Sequence, residues 1–116
     1  MPKKVMVERV RTMRIYDRFY RLIESGEKTV EVRVAYSGMQ NIHEGAVIRF
    51  TNGDRRCDRR VIRVSRYDSF AEMMHQEDPK KINPYQSAEV QLREIRRIFP
   101  PNKEAIGVIV FEFVVA

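Results

Sequence analysis

The stretch that most constrains this chain is Gly26 to Arg33, GEKTVEVR. A helix ends at Gly26, because a left-handed closing residue costs little only without a Cβ. A strand follows at once. Val30, Val32 and Val34 lie on one face, and Thr29, Glu31 and Arg33 on the other. Charges elsewhere are scattered over solvated faces. Here a lysine, a glutamate and an arginine hold fixed spacing on a rigid element beside a turn, and this marks the candidate site.

The rest of the chain falls into order around that stretch. Residues 1–4 read as a frayed basic tail. Val5 to Ile15 reads as a strand with an irregularity. Asp17 is placed to cap a helix whose stripe is Tyr16, Phe19, Tyr20, Leu22 and Ile23, a core-facing pattern. Ser25-Gly26 closes it. Tyr36-Ser37-Gly38 is a loop, and Met39 to Ile42 a short helical turn. Ala46 to Phe50 is a strand, and Asn52-Gly53-Asp54 supplies the positive φ angles of a tight hairpin. The next strand runs from about Cys57 to Tyr67, with Ile62 and Val64 on its core face.

Ser69 and Glu72 form a capping box for a short helix to His75. Gln76 to Tyr85 is a loop. Ala88 to Ile98 is a helix with Val90, Leu92 or Ile95, and Ile98 or Phe99 inward, stopped by Pro100-Pro101. Gly107 to Val115 is almost wholly apolar, as a central strand covered on both sides would be. The order is β-α-β-β-β-α-α-β, and pairing of the first and last strands could close a barrel.

At 116 residues the chain has the length of one domain, 1–116, with one core. One cysteine, Cys57, and two histidines, His43 and His75, exclude an internal disulfide and a zinc-type Cys/His cluster. No metal or other cofactor is expected. The N-terminus lacks the apolar run of a signal peptide, and no run reaches membrane-spanning length. The expected location is cytoplasmic, with no membrane and no obligate protein partner. The formal net charge of +6, carried mainly by arginine, points to a polyanionic partner or to plain solubility. The arginine-rich strand, with Arg55, Arg56, Arg59, Arg60, Arg63 and Arg66, suits either a phosphate-tracking surface or a charge-blunted sheet edge.

Glu31 and Arg33 are neighbours on one strand face, and a plain ion pair is the simplest use of them. Strict alternation puts Lys28 on the valine face, but at a strand's first position its long stem carries the ammonium to a rim. The functional reading is a cleft where Lys28 and Arg33 hold an anion. Glu31 there accepts from a base edge or orients Lys28. A lysine beside a carboxylate is also a general-base candidate.

Gly26, Lys28, Glu31 and Arg33 match a G-x-K-x-x-E-x-R motif position by position. Tyr67-Asp68-Ser69-Phe70 and Lys81-Ile82-Asn83-Pro84 resemble a second conserved region. Together they resemble the ASCH domain of the PUA-like superfamily, in its small, stand-alone prokaryotic form, over about Arg9 to Val115. The resemblance implies an α+β fold: a small PUA-like β-barrel of about five strands with two or three flanking helices, the motif lining a cleft. It implies RNA binding. Some bacterial relatives are amidohydrolases of N4-acetylcytidine, with a threonine nucleophile where this chain has Glu31; others are described as ribonucleases. Ala46 stands where the family often has an aspartate.

Three readings follow. The first is an RNA-binding module, or one for a nucleotide-like ligand, using a basic cleft with Lys28, Glu31, Arg33, Arg63 and Arg66. Tyr36 or Tyr67 would stack on a base. The second is an enzyme on a modified nucleoside or RNA, with Lys28 as base and Glu31 in support. The third is an interaction or structural protein in which Glu31 and Arg33 close the barrel rim.

Overall fold

The structure, a computed structural model, describes residues 9–116. The tail at 1–4 and the expected strand residues Val5 and Val7 lie outside the described residues. Strand β1 (Val10–Arg14) leads into helix α1 (Asp17–Glu24), strand β2 (Val30–Val34) and a 3₁₀ turn at Ser37–Met39. The hairpin of β3 (Val47–Asn52) and β4 (Arg55–Tyr67) follows. Helices α2 (Phe70–Gln76), α3 (Pro79–Ile82), α4 (Ala88–Ile98) and α5 (Pro101–Glu104) precede β5 (Val108–Val115). The fold is α+β, a five-stranded sheet curled into a half-barrel. Helices α3 and α5 are single turns, each started by a proline, in stretches expected as a loop and as a helix stop.

Strand order is β1-β3-β4-β5-β2. The first and last strands therefore do not pair. Instead β5 lies antiparallel between β4 and β2, and β1 runs parallel to β3. The chemistry of β5 explains its place. Both its faces are apolar, so it belongs in the interior of the sheet. Ile109, Phe111 and Phe113 enter one core with Met13, Ile48, Phe50, Tyr20 and Ile23. Val108 and Val110 join Val30, Val32 and Val34 in a second core beneath Phe70 and Met73 of α2. Each such side chain contributes about 1.5–3 kcal/mol on burial. With the valine face of β2 under the helices, Glu31 and Arg33 turn toward the gap between the sheet's two edge strands, β1 and β2.

Three local details differ from the sequence reading. Asp17 is the first residue of α1 and makes no cap; Tyr16 precedes it at the N-cap, 61% exposed. Asp17 pairs instead with Arg21 and Arg55. In the hairpin only Gly53 takes a positive φ, 58°, and Asn52 belongs to β3, paired with Arg55. A register shift between Val61 and Arg63 marks a bulge in β4. It turns Ile62 outward and leaves Val61 as the buried residue.

Candidate functional site

A cleft of about 540 Å³ opens where the two sheet edges meet the helices. Arg14 and Ile15 from the end of β1 line it, with Tyr16 at the N-cap and Asp17 and Phe19 from α1. Lys28, Glu31, Val32 and Arg33 form one wall, and Thr51, Asn52 and Gly53 of the hairpin another. Met73 and Met74 of α2, Ile82, Asn83 and Gln86, and Gln91, Glu94, Ile95, Ile98 and Phe99 complete it. The lining mixes charged, polar and apolar side chains. It holds three cations, Arg14, Lys28 and Arg33, and three carboxylates, Asp17, Glu31 and Glu94. The lining is thus charge-balanced, where a basic cleft was expected.

Gly26, at φ 85°, sets the turn that delivers the motif. It lets the Lys28 N–H return to the Leu22 carbonyl at 2.9 Å. Lys28 is not on a rim. It is 3% exposed, and its Nζ donates to the Val30 carbonyl at 2.7 Å and the Ile82 carbonyl at 3.1 Å. Glu31 Oε1 lies 3.2 Å away. Three acceptors thus surround a group with three N–H bonds, which is the arrangement of an ammonium. The Phe19 ring centroid is 5.6 Å from Nζ. The stem cannot reach a rim because α3 closes over it.

Glu31 is buried too, although it sits on the polar face of β2. Its Oε2 accepts from Arg33 Nε at 2.8 Å, so Glu31 joins the two cations. Arg33 also donates through Nη2 to the Arg14 carbonyl at 2.9 Å. Burial alone would raise the Glu31 carboxyl; the charges of Lys28 and Arg33 outweigh it and hold the carboxyl below the usual range. Burial pulls the Lys28 ammonium down, and Glu31 offsets part of that pull. Chemically the triad supplies a fixed positive charge at the cleft through Arg33, held by a buried pair behind it.

The structure gathers Lys28, Glu31 and Arg33 on the cleft and places the other candidates elsewhere. Tyr36 caps the 3₁₀ turn, with Lys103 Nζ 5.7 Å from its ring. Arg63, Arg66 and Tyr67 line a separate groove with Glu77, Lys81 and Glu112. Arg63 does not offer a free fork to phosphate. It donates to Glu77 at 2.6 and 2.8 Å and to Glu112 at 3.0 Å. Tyr67 donates its hydroxyl to the same Glu77. This network straps the start of α3 to the sheet. Arg49 and Asp58 pair in the same way across β3 and β4, at 2.8 Å.

Sequence reasoning missed Arg14, Tyr16, Asn52 and Gln91 as cleft residues. Gln91 left a signal: it is polar, yet it falls in the apolar stripe of α4 with Ala88, Leu92 and Ile95. Cys57 is half-buried, and burial pushes its thiol up, away from nucleophilic use. Among the described residues no group of His, Cys, Asp or Glu is placed to hold a metal ion. No helix there is long and apolar enough to cross a membrane.

A family model described as the ASCH domain matches residues 13–114. The chain belongs to the ASCH domain family. ASCH domains are generally associated with RNA binding. No curated protein sequence matches this ASCH domain significantly. The crystal structure of hypothetical protein PH0355 is similar, with TM-score 0.81 and 25% identity over 90% of this chain and 96% of that one. The solution structure of protein PF0455 from Pyrococcus furiosus is similar at TM-score 0.71 and 29% identity, covering 90% and 94%. The crystal structure of ASCH from Zymomonas mobilis has TM-score 0.64 at 13% identity, covering 91% of this chain and 67% of that one. That last likeness is one of fold, and the fold of these ASCH neighbours is PUA-like.

Proposed function

We propose that this ASCH domain binds single-stranded RNA, with one nucleotide seated in the cleft between the sheet edges and α4. The observation that carries this reading is that Arg14, Arg33 and the exposed Tyr16 ring line one part-apolar cleft. Guanidinium groups suit phosphate, and an exposed tyrosine suits stacking on a base. The cleft volume of about 540 Å³ falls within the range of about 300–1,000 Å³ common for small-ligand sites. Glu31 orients the cations, since both of its oxygens are engaged by Lys28 and Arg33. Binding is favoured over catalysis because the Lys28 nitrogen is committed to two backbone carbonyls and Glu31.

The test is fluorescence anisotropy of labelled eight-nucleotide RNA with wild type, Arg14→Ala and Tyr16→Ala. Both side chains are exposed, so the fold is expected to be retained. Each variant is expected to bind roughly tenfold more weakly, and Arg14→Ala to lower the slope of log affinity against log salt by about 1. Unchanged binding in both variants would move the RNA site away from this cleft. Mass spectrometry of the same RNA after long incubation checks for cleavage or base modification, the outcome that would favour an enzyme.

A further inference from the structure

Gln91 is the most buried residue of α4, 6% exposed, and it lines the cleft. Its Nε2 lies 2.9 Å from the Pro79 carbonyl and 3.0 Å from those of Asn83 and Gln86. These three carbonyl oxygens fix the amide's orientation, because the reverse placement would set Oε1 against them. Oε1 is left without a donor, the one buried side-chain polar atom in that condition among the described residues. A buried acceptor without a partner costs about 1–3 kcal/mol, so the site carries an unmet demand for an N–H or O–H group. The cleft lining near it combines apolar Met73, Met74, Ile82, Ile95 and Phe99 with polar Asn83 and Gln86.

We propose that Gln91 is a specificity-determining residue of the cleft, its Oε1 accepting a hydrogen bond from the exocyclic amino group of a bound nucleobase. This inference rests on the RNA reading and names the base class that the reading leaves open. The apolar walls take the faces of a planar ring, and the single acceptor takes its donor edge. Uracil fits poorly, because its one ring N–H on the pairing edge is flanked by two carbonyl oxygens. Those would approach a region already crowded with the oxygens of Pro79, Asn83 and Gln86. Cytosine and adenine carry an amino group on that edge with a ring nitrogen, not an oxygen, beside it.

The test uses four eight-nucleotide RNAs that differ only in one central base, A, C, G or U, with binding read by anisotropy. Wild type is expected to prefer the A or C oligomer over U by about tenfold, the effect of one satisfied buried acceptor. Gln91→Lys supplies N–H donors for the three carbonyls but no acceptor. Gln91→Met supplies neither. Both are expected to bring the ratio close to one, whereas a purely structural role would weaken all four oligomers alike and leave the ratio intact. Circular dichroism checks the fold of the variants, and the wild-type ratio is informative without them. Wild type that binds all four equally overturns this inference and leaves the RNA reading standing. Wild type that binds none overturns the RNA reading, and this inference with it.

Discussion

Arg33 on β2 donates its Nη2 to the backbone carbonyl of Arg14 on β1, joining the two edge strands of the half-barrel at 2.9 Å. No ladder connects those edges, so one side chain spans a gap that strand pairing leaves open. The same guanidinium holds Glu31. Arg33→Ala is therefore expected to destabilise by about 1–3 kcal/mol, the cost of leaving the buried Glu31 carboxylate short of a partner. Arg14→Ala, which keeps the carbonyl, should stay within about 0.5 kcal/mol of wild type. Urea denaturation of the two variants checks this, and equal stabilities would remove the bridge from the account.

Lys28 is the buried counterpart of that bridge. Lys28→Met strips Glu31 of one cation and orphans the Val30 and Ile82 carbonyls. A loss of about 3–5 kcal/mol is expected for breaking such a buried pair. Lys28→Met combined with Glu31→Leu should lose less than the sum of the single changes, since neither charge is then left alone. A double-mutant cycle by chemical denaturation measures the coupling. Strict additivity would mean that the two side chains do not depend on each other.

Glu31, Glu77 and Glu112 all hold their carboxyls below the ordinary glutamate range. In Glu31 the pull of Lys28 and Arg33 overcomes burial; in Glu77 and Glu112 the hydrogen bonds from Arg63 lead. The folded state thus binds protons less readily than the unfolded chain. The stabilisation is present above about pH 4.3, the unfolded value, and is lost as pH falls through the folded values. Melting temperature is expected to hold steady from pH 7 to about 5 and drop below that. Glu77→Gln should flatten the drop; an unchanged acid limb would show that Glu77 has no part in it.

Arg63 joins Glu77 to Glu112 outside the cleft, and the segment it secures runs on to Ile82, whose carbonyl receives Lys28. Arg63→Ala is expected to speed hydrogen exchange of the Thr29 amide, which bonds the Lys81 carbonyl. Arg66→Ala, at an exposed side chain of the same groove, should leave that amide unaffected. Exchange at Thr29 unaltered by Arg63→Ala would confine the network to local surface pairing.

What the sequence made legible was short-range. Gly26, the alternation of β2 and the Ser69 cap each follow from spacing over a few residues. The apolar faces of β5 foretold its central place. Burial of Lys28 was hidden because the carbonyl that draws it inward, that of Ile82, lies 54 positions away. The bulge at Ile62 was hidden because alternation continues on either side of it with opposite parity. Tyr36, Arg63, Arg66 and Tyr67 looked like site residues by type. Their places depended on Glu77, Glu112 and Lys103, whose positions only the assembled sheet determines.

The order β1-β3-β4-β5-β2 also carries a consequence for the chain during synthesis. β2 is made early, yet among the described residues its only ladder partner is β5, some eighty positions later. Until residues 108–115 have left the ribosome, the motif strand has no ladder partner, and only helix contacts such as that of Ile82 with Lys28 are available to it. The wall of the cleft that β2 carries is therefore completed only when β5 takes its place between β4 and β2.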